Sequence, residues 1–523
     1  MATILATAHK TYVALKPASF LADSFQKYRT ACRGSRYDPK SRSSIVPKHA
    51  WPTVLQQLEE AGFTVKADSV AESWRVQQQA QQTSLLSDAT IRIGQLENSL
   101  RVRGMRLRLY QMTGIRWLAA QRAALLADEQ GLGKTVQALC AIPSSVGVII
   151  ECPASLRLLW RDECLRWRSD LTPLVEPALR WPNPGEAYIV SEGWVRKRWA
   201  TQPWEGLPKN VYLVCDEAHR YKGRSTRTAA MSSVCADIRR NDGWTVALTG
   251  TPIMNTPKEL YTLLLVFGAA RKAFGGWTEY TKLWHTKRGR FKETIWGEPS
   301  AEVKLRFSAV SLRRTRQEVL PELPSKAYQT IPCEVSLPLQ RKMDLALATL
   351  VAKLDEWEQS SPTAELSIGG HSALMRDLAE AKIPAMQEWI ERMGSDCGPF
   401  LVFSMHVAPL EALANLEGWK VLSGDTPMKD RQANVQALQE GRLKGLGVSI
   451  LAGGSGLTLT AAHNALFVDR SYVPAENLQA EDRMVRFGQL HPVLISTLVA
   501  DHKLERRLNE ILTIKLTTVS GVL

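Results

Sequence analysis

What the 523-residue sequence lacks narrows the field before any motif is read. No two of its eight cysteines, at 32, 140, 152, 164, 215, 235, 333 and 397, are separated by two to four residues, so neither a zinc knuckle nor a dithiol redox pair is written here. Several sit in apolar runs, where reduced core thiols are expected, and the chain reads as a protein of an intracellular, reducing compartment. The N-terminal MATILATAHK carries no basic flank ahead of its short apolar stretch, which argues against a signal peptide. The longest comparable interior run, YTLLLVFGAA at 261–270, is about half of what crosses a bilayer, so no membrane segment is expected. Acidic residues are also short. Against 66 Lys and Arg stand 52 Asp and Glu, a net charge of +14, which points to an acidic polymer and most simply to nucleic acid. A generally solvated basic surface would carry the same sum. With 45% hydrophobic and 23% charged residues the chain is globular in composition and too long for one core.

The first ~65 residues read as a small mixed unit: a strand at Thr11–Leu15, a helix that Ser19 caps, a turn region, and a helix over Trp51–Ala61 ended by Gly62. Residues 70–90, rich in Gln, Ser and Ala, read as a linker or a solvated helix. From about residue 100 short apolar runs alternate with helical periodicity: LLAD (125–128), VGVIIE (146–151), VYLVCDE (211–217) and TVALTG (245–250). Such runs suit strands buried on both faces of a parallel sheet. The rhythm restarts with FLVFS (400–404), WKVL (419–422), GVSILAG (447–453), ALFVD (465–469) and VLISTLV (493–499), with an irregular stretch between, about 325–380, that includes Gly369-Gly370. The expected organisation is an accessory module (1–69), a linker (70–100), an α/β lobe (101–325), an inter-lobe segment (326–380) and a second lobe with a final helix (381–523).

LADEQGLGKT at 126–135 follows an apolar strand and opens a helical run, the context a phosphate-binding loop requires. Gly131 and Gly133 let backbone N–H groups turn toward phosphate, Lys134 would pair with the β- and γ-phosphates of ATP, and Thr135 would bring a hydroxyl to Mg²⁺. The strict pattern has glycine where this chain has Asp128; a tight turn with an exposed lysine is the duller alternative. VYLVCDEAH at 211–219 ends a strand in two carboxylates at a sheet edge, where Asp216 would hold the Mg²⁺ and Glu217 would accept a proton from the attacking water. An Asp-Glu pair at a solvated strand end is common, and the upstream loop is what shifts the odds.

DEAH (216–219), GLGKT (131–135), ALTGTPIMN (247–255) and QAEDRMVRFGQ (479–489) together resemble the Swi/Snf-related ATPases of helicase superfamily 2, over about residues 105–515. That family reads D-E-x-G-x-G-K-T at the loop, which accommodates Asp128. The resemblance implies an α/β fold of two tandem RecA-like parallel-sheet lobes behind a small N-terminal α+β accessory module. It implies a nucleotide site of Gln111, Asp128, Glu129, Gly131, Leu132, Gly133, Lys134, Thr135, Gly456, Arg483 and Arg486, with Gln111 on the adenine edge. Lys134, Asp216, Glu217, Arg483 and Arg486 would be catalytic, and Thr135 and Asp216 would serve the metal. Pro153, Ala154, Ser155, Thr249, Ser404, Gly453 and Gly454 would face DNA. Arg483 and Arg486, three apart on a helix, share a face and reach across a cleft together.

Within the family, FQKYRTACRGSRYDPKSRSSIVPKHAW (25–51) and LQQLEEAGF (55–63) resemble the accessory module of the HARP-type annealing helicases, except that Ser44 stands where that module carries a Trp before its Val-Pro pair. VLPELPSK (319–326) and LMRDLAEAKIPAMQEWI (374–390) resemble the inter-lobe segment of the same branch. KRGRFK (287–292) and the arginines of SLRRTR (311–316) read as basic patches on the far side of the first lobe, beside Trp277, Trp284 and Trp296; tryptophans packed in a core are the alternative. The expected function is a DNA-dependent ATPase, monomeric, that translocates on duplex or forked DNA. The competing readings are the motor of a restriction, defence or phage DNA-processing system, an RNA helicase, against which the QAEDRMVRFGQ ending argues, and a catalytically inactive DNA-binding scaffold.

Overall fold

The computed structural model describes residues 2–9, 12–18, 24, 27–28, 31–32, 35–39, 41–47, 51–144, 146–177, 180–201, 207–253, 256–288, 294–320, 322, 324–358, 372–393, 398–451, 457–486 and 488–522. Three large sheets, with a two-stranded ribbon of Lys287–Arg288 and Thr294–Ile295, organise them. In the first lobe seven parallel strands lie in the order Ser311–Leu312, Ala123–Leu126, Trp244–Leu248, Tyr212–Cys215, Val148–Glu151, Glu186–Val190 and Thr172–Val175. Successive side chains of one strand point to opposite faces, and both faces are covered. Leu126, Val148, Ile150, Val214 and Leu248 enter one core, while Leu125, Ile149, Leu213, Cys215 and Ala247 enter another. This double burial is why the strands read as continuous apolar runs.

The second lobe repeats the plan with six parallel strands: Lys326–Cys333, Val493–Ala500, Asn464–Phe467, Phe400–Ser404, Gly445–Ser449 and Trp419–Leu422. Here the expected inter-lobe segment needs correction. Lys326–Cys333 pairs with Val493–Ala500 along its whole length, and Leu339, Met343, Leu374 and Leu378 share a core with Phe400 and Val402. Residues 326–358 and 372–381 are therefore the opening of the second lobe, and the crossing lies just before Lys326. Lys382, fully buried, donates to Leu498 O (2.9 Å) and pairs with Glu505, pinning the closing helix Lys503–Val522 to this lobe.

The N-terminal module is a five-stranded mixed sheet ordered Arg36–Asp38, Ser43–Pro47, Tyr12–Pro17, Thr3–Ala8 and Thr64–Ala67. The strand at Thr3–Ala8, hidden in a sequence of small residues, sits between partners on both sides. Ser44 is buried and accepts a hydrogen bond from Tyr28 OH (3.0 Å), so the space is filled by a polar pair. Of the two readings of the Gln-rich stretch, the helix is the one seen: Ser69–Val102 is one helix, about 50 Å long at the usual rise. Asp68 caps it by accepting from Ala71 N (2.7 Å), its other oxygen accepts from Ala8 N (2.7 Å) at the end of the strand Thr3–Ala8, and Trp51 Nε1 donates to Ala71 O (2.8 Å). At its other end Ile93 joins the first lobe's core, so the helix bridges module and lobe. Ser19, Gly369 and Gly370 lie outside the described residues.

Among the described residues, Cys32, Cys140, Cys152, Cys164, Cys215, Cys235 and Cys333 are all buried, and none is in a disulfide. Trp284 and Trp296 are buried and stack edge-to-face with each other and with Tyr280, so these tryptophans build core; Trp277 packs on the same cluster. Among the described residues no helix is long and apolar enough to cross a membrane.

Candidate functional site

Three adjacent strands of the first lobe, Ala123–Leu126, Trp244–Leu248 and Tyr212–Cys215, deliver their C-terminal ends to one cleft, and each continues into a different motif. After Leu126 comes the loop 127–133, followed by the helix Lys134–Ala141. Gly131 and Gly133 adopt φ of 85° and 72°, values that L side chains rarely reach. A Cβ on Gly133 would lie 2.6 Å from Gln111 Nε2, because Gln111 leans over the loop from the helix Leu109–Ala119 while its Oε1 accepts from Arg108 N (2.9 Å). Lys134 sends its ammonium back into the loop, donating to Asp128 O (2.9 Å) and Glu129 O (3.2 Å). Burial pulls its pKa below the ordinary lysine range, against the pull of Glu217 and Asp216. Leu132 is fully buried beneath the loop and Thr135 is half-buried at the helix start.

Asp128 is not available to a ligand. Its carboxylate is fully buried, pairs with Arg314 and accepts from Gln137 Nε2 (3.0 Å); Gln137 Nε2 also donates to Leu132 O (3.1 Å), and Arg314 Nη2 donates to Gln137 Oε1 (2.8 Å). The expected ligand-facing residue is thus the underside of the loop. Arg313 completes the seat, donating to Ala127 O (3.0 Å) and Gly250 O (3.1 Å). The arginines of 311–316 therefore form no patch on a far side: they hold the loop from within.

Asp216 and Glu217 line the cleft floor. Asp216 accepts from Trp160 Nε1 (2.9 Å) and from Glu217 N (2.9 Å). Burial, and then repulsion from Glu217, raise its pKa to about 6. Glu217 holds a left-handed backbone (φ 48°) that turns it from the strand toward the loop. Burial works against its charge, but His219, 3.2 Å from Oε2, together with Lys134 and Arg220, keeps its pKa below the usual carboxylate value. His219 Nδ1 also meets Thr249 Oγ1 (3.1 Å), which accepts from Thr251 N (3.1 Å), and Gln479 Nε2 of the second lobe reaches Thr251 Oγ1 (3.4 Å). A polar chain thus runs from the second carboxylate to the second lobe.

The second lobe brings its arginines to the same place. A Cβ on Gly131 would sit 3.8 Å from Arg486 Cγ, so Arg486 rests over the loop; its Nε donates to Asp482 O (3.0 Å). Arg483 is buried behind it with Nη1 unbonded in the structure, and burial beside Arg486 and Arg431 lowers its affinity for its proton. Gln489, the closing residue of that motif, is a fastener: its Nε2 donates to Thr460 O (3.2 Å) and Ala462 O (2.9 Å).

Two of the residues expected to face DNA do not. Thr249 and Ser404 are fully buried; the first hydroxyl serves His219 and Thr251 N, and the second donates to His406 O (2.9 Å) and accepts from His406 N (3.0 Å). They shape strand ends, because a hydroxyl sunk at a sheet edge must satisfy nearby backbone first. Ala154 and Ser155 are exposed and Pro153 half-buried, at the edge beyond the strand Val148–Glu151. Gly453, Gly454 and Gly456 lie outside the described residues. His219, Trp160, Gln137 and Arg313–Arg316 were not singled out as site residues by the sequence; the only local signal for the last was a run of positive charge.

Among the described residues no cluster of three or more His, Cys, Asp or Glu is placed to hold a metal by itself. One hydroxyl and one carboxylate, both oxygen donors, fit an ion such as Mg²⁺ that keeps several waters and takes its remaining ligands from phosphate.

The profile of the SNF2-related domain matches residues 110–178 and 201–363, and that of the helicase conserved C-terminal domain matches residues 381–488. The DNA annealing helicase and endonuclease ZRANB3 of Bos taurus is 28% identical over 427 residues, covering 76% of this chain and 38% of that protein. The SWI/SNF-related matrix-associated actin-dependent regulator of chromatin subfamily A-like protein 1 of Bos taurus is 30% identical over 414 residues, 75% of this chain and 42% of that protein. The chain thus spans about two fifths of the length of these curated relatives. Among solved structures, the Sulfolobus solfataricus SWI2/SNF2 ATPase core in complex with dsDNA shares 20% identity and a TM-score of 0.37, covering 80% of this chain and 93% of that one, a likeness too loose to position any contact.

Proposed function

The chain is an SNF2-related ATPase carrying a helicase C-terminal domain, and on that premise we propose that it couples ATP hydrolysis to translocation on double-stranded or forked DNA, in fork remodelling, strand annealing or repair. The observation that carries the reading is the split of the site. Lys134, Asp216 and Glu217 belong to the first lobe, whereas Arg486 comes from the second and rests over Gly131. A nucleotide is fully enclosed only while the lobes are together, so hydrolysis and release alternate with lobe closure.

Each residue has a defined task. Lys134 exchanges the carbonyls of Asp128 and Glu129 for the β- and γ-phosphates. Glu217, kept ionised by His219, accepts a hydrogen bond from the attacking water and takes its proton. Arg486 and Arg483 meet the charge that develops on the γ-phosphate. Mg²⁺, held through Thr135 and Asp216, would neutralise phosphate charge. Ala154 and Ser155, exposed at the rim, suit contact with a DNA backbone. The surplus of +14 favours the same partner, and relatives described as DNA annealing helicases support the branch.

The test is steady-state ATP hydrolysis at fixed low salt with no nucleic acid, single-stranded DNA, duplex DNA, forked DNA or RNA. Duplex or forked DNA should stimulate most. Stimulation by RNA alone would overturn the substrate assignment, and indifference to every nucleic acid would refute the motor.

A further inference from the structure

We propose that Arg316 is a positioning residue for hydrolysis: from the first lobe it clasps the turn that carries Arg483 and Arg486, and so sets those arginines over the phosphate-binding loop. The local sequence places it for the task. Arg316 opens the short helix Arg316–Val319 just beyond the edge strand Ser311–Leu312, and a capping box fixes its backbone, with Glu318 N donating to Thr315 Oγ1 (3.2 Å) and Thr315 N to Glu318 Oε2 (2.6 Å).

From that fixed point Arg316 faces two ways. Its backbone N–H donates to Glu129 Oε2 (2.8 Å), in the phosphate loop of its own lobe. Its guanidinium crosses the cleft, where Nη2 donates to Asp482 Oδ1 (2.6 Å) and Nη1 to Val485 O (3.0 Å). Asp482 and Val485 bracket Arg483, and Arg486 follows next; Arg486 Nε is itself bonded to Asp482 O (3.0 Å). Gripping both a side chain and a main-chain carbonyl of one turn fixes its orientation as well as its distance. A planar fork does this and a single ammonium does not. The Arg316 side chain is 13% exposed and that of Asp482 10%, so water competes weakly.

Lys326 shows why the clasp reports closure. This first residue of the second lobe's sheet also donates to Asp482 Oδ1 (3.0 Å) and to Glu481 Oε2 (3.0 Å). When the lobes part, Asp482 keeps Lys326 and loses Arg316, so its charge stays compensated while the arginine turn swings free of the loop. Arg316 thereby favours the closed arrangement without any contact to the nucleotide.

The inference rests on the reading of Arg483 and Arg486 as nucleotide-facing. The test compares R316Q and R316K with the parent chain, measuring kcat and KM for ATP at saturating duplex DNA, affinity for a fluorescent ATP analogue, and thermal unfolding. R316Q should lose about a hundredfold in kcat, the usual cost of catalytic groups misplaced by an ångström, with nucleotide affinity little changed. R316K should recover part of the loss, since it keeps the Asp482 pair and forgoes the Val485 carbonyl. Unchanged kcat in R316Q would overturn the proposal, as would matching losses of affinity and thermal stability, or an R316K no more active than R316Q. Should R316Q not fold, D482N removes the same pair from the other lobe and must lose kcat at retained affinity. R486A separates the two failures: full turnover there refutes the nucleotide-facing reading, whereas lost turnover there beside an unimpaired R316Q refutes the clasp alone.

Discussion

Restoring the glycine of the strict phosphate-loop pattern, Asp128→Gly, should damage this protein. Asp128 is fully buried and holds Arg314, whose Nε lies 3.0 Å from Oδ1, as well as Gln137 Nε2 at 3.0 Å. Removing the carboxylate strands a guanidinium whose side chain is only 13% exposed, and breaking a buried pair from one side costs about 3–5 kcal/mol. Arg314 keeps the Gln137 Oε1 acceptor at 2.8 Å and the carbonyl of Tyr110, which pulls the figure to the lower end. The added backbone freedom of glycine in the unfolded chain costs up to about 1 kcal/mol more, for a total loss near 3–4 kcal/mol. For a lobe of roughly 200 residues that is a fall of about 6–15 °C in its unfolding temperature. Scanning calorimetry reads the fall in unfolding temperature and a fluorescent nucleotide titration reads the loop, whose floor loses the Asp128–Gln137 bond as well. A variant that unfolds within about 1 °C of the parent and binds nucleotide equally well would refute the structural role assigned to Asp128.

The remaining expectations are shorter. Lys134→Ala and Glu217→Gln should each abolish turnover while leaving duplex DNA retention on a filter largely intact; unchanged hydrolysis in either removes that residue from its role. Gly133→Ala forces φ of 72° on a side-chain-bearing residue and drives a methyl to 2.6 Å from Gln111 Nε2, so nucleotide affinity should fall about 5- to 30-fold for a cost of about 1–2 kcal/mol, and wild-type affinity would contradict the geometry. Asp216 must be ionised to serve a cation, and its pKa is raised to about 6 by burial and then by Glu217. Protonation on acidification therefore removes the working form, and kcat/KM should fall as pH drops through about 6 rather than through the ordinary aspartate range near 4. An acid limb below about pH 5 would count against it.

The strands that were legible are those buried on both faces, because a continuous apolar run of four to six residues has few other uses: Tyr212–Cys215, Phe400–Ser404 and Asn464–Phe467 fall where the runs predict them. Edge strands were not. Lys326–Cys333 is mostly exposed along KAYQTIPC, carries a proline, and is held by backbone pairing to Val493–Ala500 at a sequence distance that no local pattern encodes. Thr3–Ala8 was missed for a related reason: TILATA offers little bulk, and its place between two partners is set by the sheet rather than by its own side chains. The phosphate loop was legible because glycines and a lysine at fixed spacing have a local cause. Thr249 and Ser404 were misread because a polar residue at a strand end looks the same whether it faces a ligand or satisfies backbone.

The arginines at 313, 314 and 316 show where sequence reading stops for a physical reason. As a string they carry positive charge and little else, and a charge run is ordinarily a solvated face. Their partners are Ala127 and Gly250, Asp128, and Asp482, and the last is separated from Arg316 by 166 positions. Meaning therefore comes from closing the chain on itself twice, once within a lobe and once between lobes. A charge facing water would be screened and cheap to lose. The same charge beside a buried carboxylate decides where a loop or a turn can sit. Two neighbours in sequence consequently act on different equilibria: Arg314 supports the loop in every state through Asp128, whereas Arg316, besides its pair with Glu129 of its own lobe (3.3 Å), holds the second lobe only while Asp482 is within reach. Truncating the first should lower stability whether or not the lobes are closed, and truncating the second should lower turnover with little change in stability. That contrast, measured on residues two apart, separates folding from closure in this protein.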